Sequence, residues 1–113
     1  MNLTQRPIYP KPEPAAPDLD HMGRVAELPC VICHEYGEPQ NSRTMVHHVI
    51  HGRYGRNRAP DTMTIPLCEG HHQGLRDKTK VAIHASPEEW KRLYGEDHEW
   101  LSWVERRLGN DPR

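Results

Sequence analysis

Long apolar runs are missing from this 113-residue chain, and cysteine is scarce. No stretch approaches the ~20 consecutive apolar residues of a membrane-spanning helix, and the first residues lack the apolar segment of a secretory signal. Three cysteines cannot pair off evenly, which argues against a disulfide framework and favours reduced thiols that bind a metal. We therefore expect one small cytoplasmic domain with no membrane partner.

Apolar residues are also few, at 35% of the chain, so the hydrophobic core must be thin. Domains of this size and polarity usually depend on a bound metal or on disulfides for stability. Because the cysteine count argues against disulfides, the composition favours a metal.

Charge is unevenly distributed, although the net charge is only −1. Residues 42–80 carry seven Lys and Arg against three Asp and Glu, a balance of +4, whereas the segments before and after carry −3 and −2. The basic segment also contains five of the nine histidines. A polyanionic partner would be held there, although seven dispersed basic side chains are by themselves typical of a solvated surface.

The order of secondary structure follows from proline, glycine and capping signals. Five prolines in residues 1–19 predict a disordered arm, which leaves 20–113 as the folded domain. The predicted elements are a helix over 21–28 capped by Asp20, strands over 44–50 and 62–67, a short helix after Cys68, a helix over 87–94 with Ser86 as N-cap, and a last helix capped by Asp97. The tryptophans, Trp90, Trp100 and Trp103, belong to these last helices and are expected in the core.

Two half-sites have the spacing of zinc knuckles. Cys30 and Cys33 form the first, and Cys68 with His71 forms the second. Together they supply four ligands for a tetrahedral ion, with no position left for water, so we predict a structural Zn²⁺ site. His72 is an alternative fourth ligand, because both spacings from Cys68 are permitted.

A second constellation consists of histidines that this zinc would not use. His47 and His48 lie on the first predicted strand, and His72 follows His71 at a helix start, so that neighbouring rings diverge by ~100°. We expect His47, His48 and His72 to converge, which requires the strand to end or bulge, since neighbours on a strand point to opposite faces. His84 can join them only if Gly74 ends the helix and the chain folds back.

The order Cys-x2-Cys, His47-His48 on a strand, a polar loop and Leu67-Cys68-x2-His71-His72 resembles the HNH, or ββα-metal, endonucleases in their zinc-stabilised form. Residues 21–95 are similar to phage recombination-enhancement nucleases that act with the host recombinase. The resemblance implies an α+β fold, in which a small zinc-stabilised ββα-metal core carries a short N-terminal helix and C-terminal helices. It further implies a monomeric endonuclease that hydrolyses DNA during phage or prophage recombination.

The resemblance also implies roles for individual residues. His47 and His72 would ligate Mg²⁺ or another divalent metal, with His84 as a candidate third ligand, and His48 would be the general base. The residues implied to grip DNA phosphates are Arg53, Arg56 and Arg58. The middle asparagine of the family pattern is absent; Met63 and Thr64 occupy its region, and Thr64 could supply one replacement hydrogen bond.

Two other functions compete with nuclease activity. A zinc-stabilised module that binds DNA or protein without cutting explains the knuckle residues equally well, but leaves the other histidines unexplained. A zinc deaminase needs a His-x-Glu upstream of its cysteines. Here His21 is followed by Met22 and Gly23, which excludes that chemistry.

Overall fold

Five short α-helices, a 3₁₀ helix and two strands make up the part of the chain described by the computed structural model, residues 18–51 and 59–109. In chain order they are α1 (Leu19–Ala26), α2 (Val31–Glu35), β1 (Thr44–His48), β2 (Thr64–Cys68), α3 (Glu69–His72), α4 (Pro87–Tyr94), the 3₁₀ helix (Asp97–Trp100) and α5 (Leu101–Leu108). This is the predicted α+β class. The strands are rich in β-branched residues, which fit a pleated and half-buried surface.

β1 and β2 form an antiparallel two-stranded sheet. In its register, His47 pairs with Ile65 and His48 with Thr64. Pro66 lies opposite Val46, a position open to proline because both strands of such a sheet are edges. β2 leads directly into α3 at Cys68, so the hairpin and the short helix are one continuous unit.

The core lies where the helices cover the hairpin. Its largest fully buried side chains include Trp90 of α4, Ile32 of α2 and Ile65 of β2. Trp103 and Val104 of α5 belong to the same apolar cluster, and Trp100 is partly buried. The prediction that the tryptophans serve the core is thus confirmed for Trp90 and Trp103, and the C-terminal helices complete the core.

The N-terminal helix starts earlier than predicted. α1 begins at Leu19 because the Asp18 carboxylate accepts a hydrogen bond from the His21 amide at 3.0 Å, so Asp18 and not Asp20 is the cap. Residues 18 and 19, which the sequence places in the arm, are the cap and the first residue of α1. The rest of the predicted arm, residues 1–17, lies outside the described residues.

The ends of two further elements differ from the predicted ends, and both differences involve Asp97, which lies beside the site. β1 ends at His48, two residues before the predicted end, because the Ile50 amide bonds to the Asp97 carboxylate. Asp97 was expected to cap the last helix and is instead fully buried. The 3₁₀ helix that precedes α5 is capped by Glu96, whose side chain forms a reciprocal capping box with Glu99.

Candidate functional site

Three cysteines and one histidine converge beneath the hairpin. Cys30 is the N-cap of α2 and Cys33 lies one turn later, while Cys68 ends β2 and His71 lies in α3. All four side chains are buried, and all three thiols are free. The spacing of each half-site brings its two ligands onto one helical turn, which is why the local sequence pattern was informative.

The distances in this group match those of a tetrahedral metal site. His71 Nδ1 lies 3.5 Å from the Sγ atoms of Cys30 and Cys33 and 3.4 Å from Cys68 Sγ. Cys33 Sγ and Cys68 Sγ are 3.9 Å apart. Zinc bonds of ~2.3 Å to sulfur and ~2.0 Å to nitrogen would place sulfur and nitrogen about 3.5 Å apart, and two sulfurs about 3.8 Å apart. The group could therefore bind a metal ion and is consistent with a structural zinc.

The side chains of this group interact with one another and with charged neighbours. The hydrogen bond between Cys30 and Cys68 raises the pKa of the Cys30 thiol and lowers the pKa of Cys68. Glu38 Oε1 lies 3.6 Å from His71 Nε2, and Lys80, with its side chain 5% exposed, holds that carboxylate at 3.0 Å. At 3.6 Å this is an ion-pair contact and not a hydrogen bond, and His71 Nε2 has no hydrogen-bond partner among the described residues.

A second group consists of three histidines from three elements. His47 lies on β1, His72 on α3, and His84 in the turn before α4. Their ring centroids are 4.7 to 5.3 Å apart, and His72 Nε2 is 3.1 Å from His84 Nε2. One nitrogen from each ring can be chosen so that all lie within 4.8 Å of one another. We refer to His47, His72 and His84 as the histidine trio.

The predicted fold-back of the chain brings His84 to the trio. Gly74 has φ +80°, a conformation that L side chains rarely adopt, and it ends the turn after α3. The chain then returns beside α3, where the Ile83 amide bonds to the His71 carbonyl and the His84 amide bonds to the His72 carbonyl. Of the two residues predicted as alternatives for the fourth ligand beside the three thiols, His71 faces the thiols. His72 instead faces His47 and His84.

The two groups differ in access. All four members of the Cys30, Cys33, Cys68 and His71 group are buried, whereas His84 exposes the trio to solvent. Burial, with the rings of His47 and His84 adding to it, lowers the pKa of His72 to about 4, and burial also lowers the pKa of His84. His72 and His84 are therefore neutral at pH 7, with lone pairs available to a cation.

His47 is fixed by a carboxylate that the sequence did not reveal as part of the site. Asp97 Oδ2 lies 2.8 Å from His47 Nε2, and both side chains are buried. Burial opposes the charge on Asp97, yet the hydrogen bonds from His47 and from the Ile50 amide outweigh it and lower the pKa of the carboxyl. The two residues are 50 positions apart, and no local pattern connects them.

His48 does not join the trio, which corrects the expectation that it would converge with His47 and His72. The strand ends at His48 without bringing it to that face, as strand alternation requires. Its Nε2 instead lies 2.9 Å from Asp61 Oδ1. The Thr64 hydroxyl donates to the Asp61 carbonyl at 3.0 Å, so Thr64 does pin the segment beside His48. The predicted phosphate-binding residues Arg53, Arg56 and Arg58 lie outside the described residues.

The described residues form a small α+β domain with one closed and one open cluster of side chains that could bind a metal ion. Residues 14–109 match the model of a family described as recombination enhancement, RecA-dependent nuclease. The match covers well over half of the chain, which therefore belongs to this family of nucleases. No curated protein and no solved structure gives a significant match. Among the described residues, no helix has the length and apolar character to span a bilayer.

Proposed function

We propose that this protein is a metal-dependent DNA endonuclease of the HNH, ββα-metal type. The observation that carries the proposal is the open histidine trio on a hairpin that leads into a short helix, with the His48–Asp61 pair one residue further along β1 than His47. Membership of a nuclease family supplies the reaction class. A closed four-ligand group needs no substrate access, whereas a catalytic site keeps an open position.

The residues of the trio fit a divalent cation. His72 Nδ1 is buried without a hydrogen-bond partner, and its Nε2 lies close to a second imidazole nitrogen rather than to an acid or amide. An all-imidazole set suits transition-metal ions, so Mn²⁺, Ni²⁺ and Zn²⁺ belong beside Mg²⁺ in any assay. A bound cation there would offset the negative charge that builds on the scissile phosphate and on the leaving oxygen.

His48 would act as the general base. A carboxylate accepts hydrogen bonds, so Asp61 holds the neutral ring with its proton on Nε2 and leaves Nδ1 to accept a proton. The attacking water gives its proton to Nδ1 while its oxygen bonds to phosphorus. The bond from phosphorus to the 3′ oxygen breaks, and that oxygen takes a proton from solvent. The products carry a 5′ phosphate and a 3′ hydroxyl.

The other predicted parts complete the proposal. Zn²⁺ would occupy the group of Cys30, Cys33, Cys68 and His71 and hold α2, β2 and α3 together. Arg53, Arg56 and Arg58, in the connection between β1 and β2, would contact phosphates flanking the cut. The near-neutral chain would bind DNA weakly alone, so we propose that a monomer acts with the recombinase filament, in the cytoplasm, during phage or prophage recombination.

A plasmid-cleavage assay tests this function. Supercoiled DNA is incubated with the protein and Mg²⁺ or Mn²⁺, with and without RecA, and with chelator. We expect nicked or linear DNA only with metal, and more of it with RecA. Circular dichroism of the chelator-treated sample separates loss of the catalytic cation from unfolding. If the folded, zinc-loaded protein binds DNA but cuts nothing under any of these conditions, the protein is a zinc-stabilised binding module.

A further inference from the structure

Asp97 is the most completely enclosed charged side chain near the histidine trio. It is 0% exposed and lies at the start of the 3₁₀ helix, between α4 and α5. Its Oδ2 accepts from the Ile50 amide at 2.6 Å and contacts His47 Nε2 at 2.8 Å, and its Oδ1 accepts from the His51 amide at 3.1 Å. The Asp97 amide in turn donates to His51 Nδ1 at 2.9 Å.

This geometry selects one tautomer of His47. Two backbone amides already donate to the carboxylate, so both of its oxygens act as acceptors. His47 Nε2 must then be the donor in the contact with Asp97, and its proton stays on that nitrogen. The lone pair consequently lies on His47 Nδ1. In the trio, the His47 ring is 5.1 Å from the ring of His72 and 5.3 Å from that of His84.

We propose that Asp97 is a positioning residue that holds His47 as the Nε2–H tautomer and thereby presents Nδ1 to a divalent cation in the trio. This inference rests on the proposed function. A carboxylate that orients a metal-bound histidine raises the basicity of the ligand and fixes its ring, and loss of such a partner typically lowers metal affinity about 10- to 100-fold. Asp97 acts only through His47 and does not reach the cation itself.

The neighbouring residues His47 and His48 contact different carboxylates and would have different roles. Asp97 would prepare His47 to bind a cation, whereas Asp61 would prepare His48 to accept a proton. The two acids are therefore matched controls. Asp97→Asn should change cation affinity, and Asp61→Asn should leave it unchanged.

Titration with Ni²⁺ by calorimetry, on DNA-free protein that retains one structural zinc, measures this affinity. We expect the Kd of Asp97→Asn to rise about 10- to 100-fold, while the Kd of Asp61→Asn equals that of the parent. His72→Ala, which removes one of the three imidazoles, is the control that should not bind Ni²⁺ at the trio. In a double-mutant cycle, Asp97→Asn should cause no further loss in a His47→Ala background, because its effect passes through that ring.

Tautomers are read directly from the parent protein by long-range ¹H–¹⁵N NMR of labelled histidine, so the test does not depend on a variant that folds. A proton on Nδ1 of His47 would overturn the inference, and so would an unchanged Kd for Asp97→Asn. An additive loss in the His47→Ala background would point to a merely structural role and would also overturn it. If the parent binds no Ni²⁺ at the trio, both this inference and the metal-dependent function fail.

Discussion

Nε2 of His48 lies 2.9 Å from the carboxylate of Asp61, and this pair is separate from the trio that His47 joins one residue earlier. The two adjacent histidines thus have different partners. His48 is also the last residue of β1, where the chain leaves the hairpin.

Replacing His48 with alanine should reduce DNA cleavage by about 10² to 10⁴, the typical contribution of a general base. DNA binding and Ni²⁺ affinity should not change, because His48 is no member of the trio. His34→Ala is the matched control, since His34 is an exposed histidine of α2 whose ring meets Trp103 edge-on. Equal cleavage rates for His48→Ala and the parent would exclude His48 as the base.

Asp61→Asn should lower the cleavage rate by up to about 10² to 10⁴, the whole contribution of a general base, since an amide holds the His48 tautomer less firmly than a carboxylate does. Single-turnover kinetics at saturating DNA and metal measure the effect on the chemical step. In His48→Ala, the same substitution should have no additional effect. A further drop in that background would show that Asp61 acts by another route.

Cys33→Ser should abolish zinc binding and unfold the domain. Its thiol lies in the buried group of four ligands, and zinc contributes on the order of 10 kcal/mol to the folding of small zinc domains. Zinc content by elemental analysis and helicity by circular dichroism provide the two measurements. A variant that stays folded without zinc would contradict the structural assignment.

His84→Ala should weaken Ni²⁺ binding to the trio while leaving the fold intact, because this ring is the exposed member of the group. Its thermal midpoint should stay close to that of the parent, as expected for an exposed position. His72→Ala, which removes a buried ring, should lose both cation affinity and stability. An unchanged Ni²⁺ affinity in His84→Ala would remove His84 from the ligand set.

Gly70→Ala should destabilise the domain by about 1–3 kcal/mol, the usual cost of overpacking. A Cβ at this position would lie 2.8 Å from Lys80 Cγ and 3.0 Å from the Asp77 carbonyl oxygen. Gly23→Ala is the control, because nothing lies within 4 Å of its added Cβ in α1. That variant should gain stability by up to ~1 kcal/mol through helix propensity. Urea denaturation of both variants provides the comparison.

Local spacing made the group of Cys30, Cys33, Cys68 and His71 predictable, since the two residues of each pair lie within a single turn. The placement of His84 required only that the chain fold back after Gly74, which one glycine can signal. Helix α4 was likewise marked by Pro87 at its start and Gly95 at its end. In each case the information lies within a few residues.

Side-chain partners that are far apart in the sequence could not be predicted, because no local pattern connects them. Asp97 and His47 are 50 residues apart, and an acidic residue before a helix is the ordinary pattern of a cap. His48 was grouped with His47 because they are adjacent, although strand alternation separates their side chains. Asp61 carried no signal as a partner of His48 until the hairpin register placed them together.

His71 and His72 are consecutive residues that face two different ion-binding groups. One peptide unit therefore joins the scaffold of the domain to the centre proposed to cut DNA. Oxidation of the thiols or shortage of zinc would release His71 and displace His72 with it. Because loss of zinc is expected to unfold the domain, the fold and the proposed catalytic centre would fail together, and zinc content would set the fraction of molecules able to cut DNA.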